Sequence, residues 1–183
     1  MKLYEYLIVG FAWAIWLLPF LIDRPREKTK PTAHDRRARW GILLQIIGYS
    51  LLWQGEFWLR APELWRLVLS IALFSLASLL SWTGVRALGR HLRFDAALRE
   101  GHQLVRSGPY RFLRHPIYTS MFSLLLATGL LVSSWPLFGC AIVVFLAGTE
   151  IRVRIEDGLL ASRFGEDFQA YKRAVSAYIP LLR

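Results

Sequence analysis

The chain has 183 residues, 55% of them hydrophobic, yet it carries 23 Lys and Arg against 13 Asp and Glu, a net charge of +10. Apolar residues gathered into runs with basic residues packed between them are the distribution of a helical membrane protein, not of a soluble domain. Nucleic acid is excluded as a partner on the same ground, because the basic residues lie between apolar spans and not along one soluble helix.

The first run, residues 3–22, is long enough to cross a bilayer core of roughly 30 Å at about 1.5 Å per residue. It passes into Asp23-Arg-Pro-Arg-Glu-Lys with no small-residue cleavage site, so it reads as a retained transmembrane helix and not as a removed signal. Residues 23–39 form a solvated basic loop containing Pro25 and Pro31. Residues 40–59 predict a second span with Trp at both ends, as interfacial anchoring favours. After a turn at Ala61-Pro-Glu-Leu64 a third span covers about 67–85, where Ser75, Ala77 and Ser78 would let a neighbouring helix approach closely. A polar connector, 86–116, follows. Residues 117–134 and 137–151 predict a fourth and a fifth span around a tight turn at Trp135-Pro136. Both are short, so they should be tilted or shielded by the other helices.

The tail from residue 152 is different. Leu160, Phe164, Phe168, Tyr171 and Val175 recur at three or four residues as an apolar stripe, while Arg163, Glu166, Asp167, Lys172 and Arg173 fall elsewhere. Gly165 should split this helix in two, and the tail should cap the connector. With the N-terminus outside, the inner segments 23–39, 86–116 and 152–183 hold seven, seven and six basic residues, and the outer side holds three. Five spans with a cytoplasmic C-terminus satisfy the positive-inside rule; four or six would not. The expected architecture is therefore an all-α integral membrane protein of about five transmembrane helices, one membrane domain over residues 1–183.

Two polar clusters lie on the inner side. The connector holds His102, Arg106, Tyr110, Arg111, Arg114, His115 and Tyr118; the end of the fifth span reads Glu150-Ile-Arg-Val-Arg-Ile-Glu-Asp157. A Gly-, Pro- and Arg-rich segment such as 101–118 has no place in hydrocarbon unless a protein-walled cavity receives it, so it reads as a site-building loop. Arg152 and Glu156 are four apart, as are Glu150 and Arg154, so each pair shares a helix face; a plain interfacial salt-bridge ladder gives the same pattern. Cys140 is the one cysteine, and two histidines thirteen apart without acidic partners at ligand spacing do not make a metal site. Neither a P-loop nor a dinucleotide fingerprint is present. What remains is a basic, aromatic pocket suited to a small ligand with a carboxylate and a flat ring.

Three pieces taken together, Leu104-Val-Arg-Ser-Gly-Pro-Tyr-Arg-Phe-Leu-Arg-His-Pro-Ile-Tyr118, Arg152-Val-Arg-Ile-Glu-Asp-Gly-Leu-Leu160 and Phe164-Gly-Glu-Asp-Phe-Gln-Ala-Tyr171, resemble the isoprenylcysteine carboxyl methyltransferase and phospholipid methyltransferase superfamily. The resemblance runs from Leu88 to Pro180, and the compact form is closer to the superfamily's prokaryotic branch. It implies an integral membrane methyltransferase, of a prokaryotic inner membrane, that uses S-adenosylmethionine bound by a cytoplasmic connector, the last two spans and amphipathic C-terminal helices. Carried over by position, it assigns cofactor binding to His102, Leu104, Val105, Gly108, Tyr110, Arg114, His115, Pro116, Tyr118 and Glu150. It assigns the reaction centre to Arg152, Glu156 and Asp157, with no metal. The implied acceptor is lipophilic or membrane-delivered: a prenylated carboxylate or thiol, a lipid amine or a small volatile thiol.

This chain departs from the family pattern in having Asp157 where Glu is usual, Leu92-Arg93 where an aromatic and Ser are common, and no basic residue near Tyr178. Two other readings share the region. Some sterol reductases resemble it and bind a nicotinamide cofactor, but they are about twice as long; a non-enzymatic lipid-binding scaffold would not need Arg114-His115-Pro116 and the Arg152/Glu156 pair.

Overall fold

The structure is a computed structural model, and it describes residues 3–22, 33–34, 37–55, 62–89, 97–98 and 104–178. Among these, six helices account for nearly all regular structure: α1 (Leu3–Ile22), α2 (Ala38–Leu52), α3 (Leu64–Leu88), α4 (Pro116–Val132), α5 (Trp135–Phe164) and α6 (Glu166–Ala174). Three of them, α1, α3 and α5, are long and apolar enough to cross a membrane, and α2 and α4 are shorter apolar helices. The outward faces of α1 and α3 carry Leu7, Phe11, Val68 and Leu79, all exposed, which is what hydrocarbon accepts and water does not. The protein is an all-α integral membrane bundle.

The sequence-based boundaries change in four places. The second span ends at Leu52 and not at residue 59, because Trp53 leaves helical geometry and the Gln54 side chain turns back to donate to the Ser50 carbonyl. The third is longer than expected, Leu64–Leu88. Trp135 and Pro136 are not a turn: Pro136 sits in the first turn of α5, where its missing N–H costs nothing, and Ser133-Ser134 makes the link. Most consequentially, the fifth span and the first tail helix are one unbroken 30-residue helix. Its charged stretch stays helical because Arg152 and Arg154 each find a glutamate one turn away on the same helix. The break does come at Gly165, whose φ of 52° closes α5 and opens α6.

α4 is the shielded element, its Leu124, Leu125, Ala127 and Thr128 fully buried. Small polar side chains tie its neighbours together where lipid offers no partners: Trp13 donates its indole N–H to Thr128 Oγ1 at 3.1 Å, Trp16 to Ser120 Oγ at 3.1 Å, and Ser70 donates to the Ala127 carbonyl at 3.0 Å. On α3 the buried small face is Ser70, Ala77, Ser81 and Gly84; Ser75 points outward and bonds its own helix, so it does not serve the packing expected of it.

α2 packs along α5 at glycine contacts. A Cβ on Gly41 would stand 2.6 Å from the Gly148 carbonyl oxygen and 2.5 Å from Arg152 Cγ, so only glycine lets the backbones meet and leaves room for Arg152. One turn along, Gln45 donates to Thr149 at 2.9 Å in a buried pair. Ala33–His34 (β1) pairs antiparallel with Ala97–Leu98 (β2).

Candidate active site

The connector enters as Leu104 and Val105, half-buried, and turns through a 3-10 helix at Gly108–Arg111 with Pro109 in its first turn. Gly108 packs beside Ala87, and Pro116, the first residue of α4, lies near Gly84, so the turn is seated on the end of α3. The chain that follows α6 then runs beside it. Leu113 forms a parallel bridge with Ser176, the Arg114 N–H donates to the Ser176 carbonyl and the His115 N–H to the Ala177 carbonyl, both at 2.8 Å. Thr119 donates its hydroxyl to the Tyr178 carbonyl at 2.6 Å, and Tyr171 donates to the Tyr110 carbonyl at 2.5 Å. Residues sixty positions apart are thereby held in register by backbone bonds.

That register delivers Arg114 and His115 to the paired acids of α5. Asp157 accepts from the Arg114 guanidinium, from His115 Nε2 at 2.9 Å and from Lys172 Nζ at 3.3 Å. Glu156 accepts from the Tyr118 hydroxyl and from Arg152 Nη2 at 3.4 Å, and stands 3.5 Å from His115 Nδ1. The imidazole is thus buried with a carboxylate on each nitrogen, an arrangement in which only the imidazolium donates on both sides. Burial alone would lower its pKa, but the bonds to Asp157 and Glu156 outweigh it and hold His115 above its ordinary value. The Arg152 guanidinium lies 5.2 Å from the Tyr118 ring centre, so the ring orients it by its face.

The other side of α5 is built differently. Glu150 accepts from Arg154 Nε at 2.7 Å and from the Tyr178 hydroxyl at 3.0 Å. Burial, with this bond to Glu150, pushes the Tyr178 hydroxyl up to about 12. A cleft of about 480 Å³ opens here, lined by residues of α5 (Glu150, Val153, Arg154, Asp157, Gly158, Ala161), by Arg114 and by Lys172, Ala177 and Tyr178. Asp157 touches both sides. Among the described residues no group of three or more His, Cys, Asp or Glu is disposed to hold a metal ion.

Of the residues singled out from sequence, Arg114, His115, Tyr118, Arg152, Glu156 and Asp157 come together in one cluster. Glu150 faces the cleft instead, Gly108 and Pro116 support the turn against α3, and Tyr110 is buried and offers its carbonyl to Tyr171. His102 lies outside the described residues, as does the Leu92-Arg93 departure. Lys172, Tyr171 and Tyr178 were missed as site residues. The apolar stripe of the tail predicted a docked face but carried no sign of which polar side chains its docking would deliver.

The phospholipid methyltransferase family profile matches residues 65–167, more than half of the chain. The chain belongs to the phospholipid methyltransferase family. The matched stretch of this family member takes in α3, the connector and α5 with its paired acids. It is 29% identical over 116 residues to the protein-S-isoprenylcysteine O-methyltransferase of Schizosaccharomyces pombe, covering 54% of this chain and 48% of that one. It is 28% identical over 148 residues to the cobalt-zinc-cadmium resistance protein CzcN of Cupriavidus metallidurans, covering 78% and 62%. The family member therefore spans about half to just under two thirds of the length of these relatives. Among solved structures, the eukaryotic intramembrane Ras methyltransferase, isoprenylcysteine carboxyl methyltransferase, shares the fold with a TM-score of 0.59 at 19% identity, over 93% of this chain and 62% of that one.

Proposed function

We propose that this protein is an S-adenosylmethionine-dependent methyltransferase whose acceptor is lipophilic or delivered from the membrane, an isoprenylcysteine-like carboxylate, a thiol or a lipid amine. The observation that carries the reading is the junction of Arg114 and His115 with Glu156 and Asp157 at the polar end of an apolar bundle, in a member of this family. Positive-inside counting puts this end in the cytoplasm and the N-terminus outside.

The residues suit the cofactor. The cleft beside Asp157 carries both signs of charge, Glu150 and Asp157 against Arg114, Arg154 and Lys172, which matches the ammonium and carboxylate of an amino-acid end, and Val153 and Ala161 add apolar wall. Arg114, Glu150, Asp157 and Tyr178 would hold it, with His115 fixing Asp157 from behind; Leu104, Val105, Gly108, Tyr110 and Pro116 shape the connector. When bound, S-adenosylmethionine supplies an electrophilic methyl group on a sulfonium.

The chain's own task is alignment and exclusion of water, since an in-line displacement needs donor and acceptor held on one axis. Arg152, oriented by Tyr118 and by the close approach of α2, offers a fixed cation to an anionic acceptor. Glu156, a quarter exposed where Asp157 is almost wholly covered, is the acid positioned to orient the acceptor or take a proton from a neutral one. A lipophilic acceptor accounts for a polar site joined to a membrane bundle.

Equilibrium binding to detergent-purified protein tests the reading with three ligands: S-adenosylmethionine, its demethylated product and a reduced nicotinamide. The first two bind and the third does not; failure of both to bind overturns the proposal. His115→Ala weakens cofactor binding, whereas Glu156→Gln leaves binding and lowers turnover.

A further inference from the structure

Among the described residues of the connector, one large apolar side chain faces out. Phe112 is 75% exposed, although the backbone around it is fixed on both sides: its N–H donates to the Pro109 carbonyl, Tyr110 before it is buried beneath Tyr171, and Leu113 after it is buried and bridged to Ser176. The side chain has no route inward without undoing those bonds.

Its level in the molecule says what surrounds it. The 3-10 turn rests on Ala87 and the start of α4 on Gly84, so Phe112 stands at the end of the apolar span of α3. At that end Arg86 lays its guanidinium 5.1 Å from the Trp82 ring centre, an aromatic and a cation paired as they are at a headgroup boundary. Arg111, next to Phe112, is exposed, and neither 82–89 nor 104–116 contains an acidic residue. The nearby acids of α5, Glu156 and Asp157, are turned inward onto Arg114, His115, Tyr118 and Arg152, while Arg106 is taken up by the Asp167 carbonyl of α6.

We propose that Phe112 and Arg111 seat the connector on the surface of the bilayer, with the phenyl ring among the upper acyl chains and Arg111 and Arg86 on anionic phospholipid headgroups. The partner is the lipid surface itself. An exposed apolar ring flanked by cations, on a stretch lacking acids, fits an anionic leaflet and repels a basic protein face. The wedge lies three residues from His115, so leaflet charge bears on how firmly the connector is held.

A Cys140→Ser, Phe112→Cys protein carrying a small apolar fluorophore at residue 112 tests this in two vesicles, phosphatidylcholine alone and phosphatidylcholine with roughly one third phosphatidylglycerol. Lipids brominated high on the acyl chain quench the probe more than aqueous iodide does, and the excess grows in the anionic vesicle. Quenching by iodide alone places the residue in water, and quenching by neither places it under protein; either result overturns the proposal. With Phe112 intact, amide exchange of residues 104–114 slows in the anionic vesicle, and Arg111→Gln removes about fivefold of that protection, the equivalent of ~1 kcal/mol per basic residue at a charged surface. Equal exchange in both vesicles overturns the assignment to anionic lipid whatever the protein catalyses.

Discussion

Two ion pairs of the same composition and spacing sit on α5, and the bundle makes different objects of them. Arg152 and Glu156 lie under α2, α4 and the connector, with side chains 10% and 25% exposed; Arg154 and Glu150, one face round, are 78% and 42% exposed. The second pair has the better bond, 2.7 Å against 3.4 Å, yet a solvated pair contributes little to stability whatever its length. The first pair is looser because each member has other partners: Tyr118 and His115 for the acid, the Tyr118 face for the cation. A site is distinguished by what else its charges must satisfy, more than by the quality of any one contact.

The sharpest way to break this contrast is to remove the two arginines separately. Arg152→Ala should lower methyl transfer about a hundredfold, the scale at which misplacement costs an oriented reaction, while Arg154→Ala stays within about twofold. Turnover measured in one lipid system decides; equal losses would mean that the two faces are one site.

Next in size is the packing that makes room for Arg152. Gly41→Ala puts a methyl group against the Gly148 carbonyl and Arg152 Cγ, and should destabilise the bundle by about 1–3 kcal/mol, read as a lower thermal midpoint in detergent. Gly139→Ala, on the same helix as Gly148 but with open space around it, is the control and should be near neutral.

The third prediction uses pH. His115 has a folded pKa above its ordinary 6.5, so the stability it contributes is fully present below that value and is lost as pH rises through the higher folded pKa. Thermal midpoints should therefore fall across that window, and His115→Gln should flatten the fall. The smallest effect belongs to Lys172→Met. Its ammonium reaches Asp157 at 3.3 Å but is nearly half exposed, so the loss should be about 0.5 kcal/mol or less, detectable as faster amide exchange in α6 before any change in midpoint.

Much of the site was legible before any coordinates. Gly165 does end a helix and Arg152 does meet Glu156, because a break and a one-turn spacing are local; Arg114, His115 and Tyr118 do converge on the acids at 156 and 157, but across about forty positions, and only the family resemblance groups them. Lys172 and Tyr178 were not legible, since both reach the site through a tail docked by backbone bonds to residues about sixty positions earlier. Glu150 shares a sequence cluster with Arg152, Glu156 and Asp157, yet it faces the cleft with Tyr178, about half a helical turn from Arg152, which spacing along one helix shows only once its neighbours are placed.

By itself the sequence determined that the chain is a helical membrane protein with its polar chemistry gathered at one end, because hydrocarbon length and charge exclusion act on runs of residues that can be counted. The tertiary structure alone decided which of two equivalent ion pairs is enclosed, how far α5 runs past the apolar core, and that α2 ends at Leu52. The first of those outcomes rests on how closely α2 and α5 approach at Gly41 and Gly148, where an added Cβ on either would meet the other's carbonyl oxygen at 2.6 Å. No pattern along one helix records what presses on it from another.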